Sequence, residues 1–167
     1  MNQFKFIFLP IVAIALLLSA CEKPKVIEDS DLLSNLKSNS VDTLIFNSSK
    51  YTLDAYLYRN LFPGGPIPTA RPLIAYISLV NNDSVEISNE LDITKLYVIK
   101  DPLIWVSTPT LSNDDIIPEY KLTKISRDGP EWQTGILVEV VIEVSNKTTK
   151  DKYLIISKEI TIDKVEK

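Results

Sequence analysis

The chain has 167 residues, 45% of them hydrophobic, with a formal net charge of -4 and no histidine. That is enough apolar material for one folded domain plus a leader, and too little length for two comfortable domains. The lack of histidine excludes Ser-His-Asp and Cys-His catalysis and the usual zinc and iron sites, and the acidic balance argues against a nucleic-acid binder that would need a basic stripe.

The chain opens with "MNQFK", a short polar start with one positive charge, and continues with "FIFLPIVAIALLLSA", fifteen residues without a charge. A bilayer-spanning helix needs about 20 apolar residues, so this run has the length of a signal-peptide core instead. It ends in "LSAC", Leu18 to Cys21, which resembles the lipobox of bacterial lipoproteins. That resemblance implies cleavage before Cys21 and a lipid-modified N-terminus there, so the single cysteine is an attachment point and no internal disulfide can form. Residues 1–20 are thus read as leader. They contain Lys5 and no acid, so the remainder holds 17 basic and 22 acidic residues and carries -5. "CEKPK" lacks an Asp after the cysteine, unlike the inner-membrane retention signal of enteric lipoproteins. The Ile/Asn/Lys-rich, Gly-poor composition resembles proteins of the Bacteroidota, in which many lipoproteins reach the outer membrane or the cell surface.

Residues 21–40 are read as the lipidated cysteine and a flexible tether. Within them "DLLSNLKS" is long enough for only one or two helical turns, which are marginal alone. As a coil, about twenty residues span on the order of 25 Å and would hold a domain clear of lipid headgroups.

From Val41 to Lys167 the hydrophobic period is two. "TLIFN", "YTLDAYLYRNL", "PLIAYISLV", "TKLYVIK", "LIWVS", "EYKLTKIS", "ILVEVVIEV" and "KYLIISKEITIDKV" follow one another as strand candidates rich in β-branched and aromatic residues. "PLIAYISLV" is apolar on both faces, as in a central strand. "ILVEVVIEV" places Ile136, Val138, Val140, Ile142 and Val144 on one face. Leu154, Ile156, Ile160 and Ile162 are read as one row, interrupted at Lys158 by a bulge. The expectation is an all-β domain over 41–167: a single antiparallel β-sandwich of immunoglobulin-like type, with a small barrel as the alternative.

The four glycines fall in "FPGGPIPTARP" (62–72) and "RDGPEWQTG" (127–135). If strands alternate up and down, these loops and "KDP" (100–102) share one end, gathering Arg71, Lys100, Arg127, Asp128, Glu131 and Trp132. Arg71, Lys100, Arg127 and Trp132 are the candidate recognition residues. The plainer alternative has the Pro and Gly residues merely turning the chain, with Trp132 covering the core. "RDGPEW", with "RNLFP" (59–63) and "PLIA" (72–75), resembles a pattern in exported immunoglobulin-like bacterial proteins and implies a fold rather than a catalytic residue.

Asp114, Asp115 and Glu119, and Asn81, Asn82 and Asp83, lack the alternate-oxygen spacing of a calcium loop and read as solvated loop charge, so no metal or cofactor is expected. The seven tyrosines read as strand-packing residues rather than a sugar platform. "DTL" and "DSV" resemble the Bacteroidota O-glycosylation sequon at Thr43 and Ser84. The functional expectation is a lipid-anchored, non-catalytic binding or assembly module contacting a protein or glycan of the envelope. A carboxylate-dependent hydrolase of an envelope or dietary polymer, and a plain spacer, are the alternatives.

Overall fold

The computed structural model describes residues 25–62, 71–112 and 117–166. Cys21, the lipobox, Gly64, Gly65, Asp114 and Asp115 lie outside the described residues. The elements are β1 (Lys25–Glu28), α1 (Ser30–Asn39), β2 (Leu44–Phe46), β3 (Ser49–Asn60), β4 (Leu73–Asn81), β5 (Leu91–Lys100), β6 (Leu103–Ser107), β7 (Thr110–Leu111), β8 (Lys121–Ser126), β9 (Leu137–Asn146) and β10 (Lys152–Val165).

The fold is all-β, as the period-two pattern requires: a curled open sheet in the order β1-β6-β5-β9-β10-β3-β4-β8-β7, with β2 paired to β3. The path is open at β1 and β7, so the described strands do not close into a barrel. Its first half, β1 to β10, is called sheet A here, and its second half, β10 to β7, sheet B. The two enclose one core, in which Leu57, Ala75 and Ile77 of sheet B meet Val98, Trp105, Val140 and Ile142 of sheet A, all with no exposed area. Burying each Val, Leu or Ile of this cluster contributes about 1.5–3 kcal/mol, which stabilises a chain without disulfides.

The curl depends on β10. Residues Lys152 to Thr161 pair antiparallel with β9, and the register slips between Ser157 and Ile160. Glu159 sits at φ 58 inside this irregularity. Beyond it, Ile162 to Val165 pair with β3, and this pair is parallel. One strand therefore serves both halves, and the bulge bends it from one to the other. The bulge sits where Lys158 broke the sequence pattern, but it also reverses the side-chain phase. Ile155 and Ile162 enter the main core, whereas Ile156 lies in a second cluster. The expected single row of Leu154, Ile156, Ile160 and Ile162 is thus corrected: one extra residue swaps faces in a period-two element.

Of the segment read as a flexible tether, Lys25–Glu28 form β1 and Ser30–Asn39 form α1. From Lys25 the chain is part of the fold. Strand β1 pairs antiparallel with β6, Lys25 opposite Val106. Helix α1 starts at the N-cap Asp29, whose carboxylate accepts from Leu32 N (2.9 Å). Leu36, 1% exposed, then packs on Tyr97, Ile99, Ile104, Val141 and Ile156, with Leu32 and Leu33 beside it. A ten-residue helix is marginal in water but not on an apolar surface, and the outer face of sheet A is one: Val141 needed a partner as much as the helix did. Lys37, in the last turn, reaches Asp101 (2.8 Å) and Glu139 (3.5 Å) and fastens the helix to the sheet.

Candidate functional site

The loop end expected from strand parity exists, and it is a structural knot. Arg59, at the end of β3, donates from Nε to Arg71 O (2.8 Å) and from a terminal nitrogen to Trp132 O (3.0 Å) and Glu131 O (3.3 Å). Its other terminal nitrogen stands 3.6 Å from Glu131 Oε2. Arg71 donates to Leu61 O (2.7 Å). Gly129 N donates to Leu73 O (3.0 Å). Residues 59–61, "PLIA" and "RDGPEW" therefore meet in space, and their shared chemistry is the satisfaction of loop carbonyls by two guanidinium groups and one backbone N–H.

Trp132 is 8% exposed and belongs to the main core. The Lys100 ammonium lies 5.6 Å from its ring centroid, a cation–π contact. Arg71, Lys100, Glu131 and Trp132 are brought together as anticipated, but Arg71 and Trp132 are consumed by the fold, and Lys100 is engaged with the indole. For Arg71 and Trp132 this is the geometry of the plainer alternative, in which the loops turn the chain and Trp132 covers the core. Arg59 is the residue that mattered most here, and its only signal was its place in "RNLFP" two residues from a strand end. Thr43 and Ser84 are both exposed, the latter in a turn at φ 55.

Arg127 separates from this group. It lines a cleft of about 630 Å³ where β6 approaches β7 and β8, the seam between the two halves of the curled sheet. Lys25 and Lys95 share that cleft, with Asp128 as its one acid. Across the seam Ser107 Oγ donates to Ser126 Oγ (3.0 Å) and lies 3.4 Å from Asp128 Oδ1. Deeper, Lys124 closes the seam from inside: its ammonium donates to Ile93 O (2.7 Å) and pairs with Asp92 (2.8 Å). That lysine is a cross-sheet strut rather than a binding group.

The outer face of sheet B carries a second feature. Tyr56 and Tyr58 of β3 stack at 5.4 Å between centroids and 24° between planes, and Tyr58 stacks on Tyr76 of β4 at 6.2 Å and 19°. Tyr56 is 45% exposed. Partial burial pushes the Tyr58 hydroxyl above its ordinary pKa, reinforced by Tyr76 and opposed by Arg127 nearby. Three of the tyrosines assigned to packing from sequence thus form an outward ridge. Tyr58 is the middle ring and stacks on both neighbours, whereas Tyr56 and Tyr76 each stack on one.

Another cleft, of about 660 Å³, groups Asp101, Glu139 and Glu159 with Lys100 and Lys158. Lys37 already bonds Asp101 and Glu139, and the Asp101 hydrogen bond is the main cause that raises the Lys37 pKa above its usual value. Among the described residues no group of three acids, cysteines or histidines could hold a metal ion. Comparison with known proteins found no family model, curated protein or solved structure that matches this chain.

Proposed function

We propose that this chain is a lipid-anchored envelope module, exported and held at the outer membrane through Cys21, that binds a protein partner without catalysing a reaction. The observation that carries the binding reading is the asymmetry of the two outer faces. Sheet A's outer face is covered by α1. Sheet B's outer face carries the tyrosine ridge, and α1 is the only helix among the described residues that could have covered it.

Tyrosines are enriched at protein interfaces because they offer large area with few rotatable bonds and a polar tip. A saccharide would stack on ring faces, and the middle ring, Tyr58, is already stacked on both neighbours, which favours a protein over a glycan. The non-catalytic reading is supported by Asp101 and Glu139 being drawn to one lysine, a poor arrangement for an acid–base pair. The face-to-face halves support describing the domain as immunoglobulin-like.

The test is photo-crosslinking in intact cells from a reactive residue placed at position 56, with position 137 as the control, since Leu137 is 61% exposed on sheet A. A discrete adduct from 56 and none from 137 is expected. Tyr58→Ala should weaken that adduct by roughly tenfold or more, as for an interface anchor worth about 2 kcal/mol. Equal, diffuse labelling from both positions would reject the reading.

A further inference from the structure

Strand β1 begins at Lys25, and only Glu22, Lys23 and Pro24 separate it from Cys21. Four Cα-to-Cα steps reach at most about 14 Å. If Cys21 carries the lipid, the folded domain is not held clear of the bilayer. Whatever surface surrounds Lys25 lies at the headgroups.

That surface is the seam cleft. Lys25, Lys95 and Arg127 line it against a single acid, Asp128. All three cations are exposed. None of their side chains makes a hydrogen bond or ion pair with a described residue. The cluster runs against the charge of the chain, which is -5 beyond the leader. Unpaired cations on an acidic protein, beside hydroxyls that can donate, match a phosphodiester oxyanion.

We propose that the seam cleft is a headgroup site, receiving the phosphate of an anionic lipid in the membrane that holds Cys21 and thereby fixing which side of the domain faces the bilayer. This rests on the lipid-anchor reading above. An acidic glycan offers similar anions, but the short span to Cys21 favours the lipid, which is within reach by construction of the chain.

The test uses the full mature chain, acylated, in vesicles of phosphatidylcholine alone or with one quarter phosphatidylglycerol, followed by amide hydrogen exchange. Each surface cation near an anionic leaflet strengthens docking about fivefold, so the net two charges predict exchange slowed roughly 25-fold over residues 106–110 and 125–128 in the anionic vesicles. Protection should vanish at about 0.5 M salt, where screening shortens below the span of the cleft. Lys95→Glu with Arg127→Glu should abolish it while leaving exchange in β3 unchanged, which reports an intact fold.

Equal exchange in both vesicles overturns the proposal. So does full protection by millimolar inorganic phosphate in phosphatidylcholine vesicles, which would make the source a free anion. Protection by alginate but not by phosphatidylglycerol would assign the cleft to a glycan and also overturn it. Intact mass reads the anchor separately: an unacylated Cys21 sinks the anchor reading, whereas an acylated chain with an unprotected seam sinks the headgroup site alone.

Discussion

Replacing Gly129 by alanine isolates the packing of the loop knot. A Cβ at this position would stand 2.6 Å from Leu73 O, 2.7 Å from Leu73 Cβ and 2.9 Å from Trp105 Cη2. Two of those atoms are backbone or backbone-attached, and the third belongs to an indole with no exposed area. None can swing away, so the strain must move the loop. Overpacking of this kind costs about 1–3 kcal/mol. Moving the loop also stretches the Gly129 N–H bond to Leu73 O, worth about 0.5–1.5 kcal/mol. The expected loss is therefore about 1.5–4.5 kcal/mol, read as a fall in urea midpoint at unchanged slope. Gly135 supplies the contrast, because a Cβ there meets nothing within 4 Å while its φ is +80. Gly135→Ala should cost about 1–2 kcal/mol, from the left-handed backbone alone. A Gly129→Ala variant no less stable than Gly135→Ala would refute the steric reasoning.

Leu36→Ala should cost about 2–4 kcal/mol and expose Val141 and Ile156 to water, measured by denaturant unfolding and by exchange of the β9 amides; a change under about 0.5 kcal/mol would mean that the helix is not docked. Arg59→Lys keeps the charge but removes the planar fork, so about 1.5–3 kcal/mol is lost and Trp132 emission shifts to the red. Unshifted emission would show that the knot holds without that fork. Stability should fall on the alkaline side. The raised Lys37 pKa contributes fully below its ordinary 10.5 and is lost as pH rises through the raised value. Tyr97, raised chiefly by burial, keeps its proton in the fold after the unfolded chain begins to lose it near 10.0. With no histidine in the chain, no imidazole step is expected near about pH 6.5. A urea midpoint that stays level to about pH 11.5 would contradict both assignments.

The period-two pattern determined the all-β class, the central place of "PLIAYISLV" and the site of the β10 irregularity. Each is a local rule: alternation sets faces, and a charged residue in an apolar row marks a bulge. Strand parity also gathered Arg71, Lys100, Glu131 and Trp132, because alternating connections return to one end. Local rules could not tell that the bulge swaps the phase of Ile156 and Ile162, since that depends on how many residues oppose Glu139 across the ladder. Nor could they show that "DLLSNLKS" is a helix: its stability comes from Val141 and Ile104, far away in sequence. The tyrosine ridge was invisible for a related reason. Alternation says that Tyr56 and Tyr58 share a face, but only the register of β3 on β4 sets Tyr76 beside them, and only the position of α1 decides which outer face stays open. In the seam cleft, Lys25 and Lys95 meet because β1 and β5 flank β6, and only the curl of the sheet brings Arg127, at the end of β8, to join them.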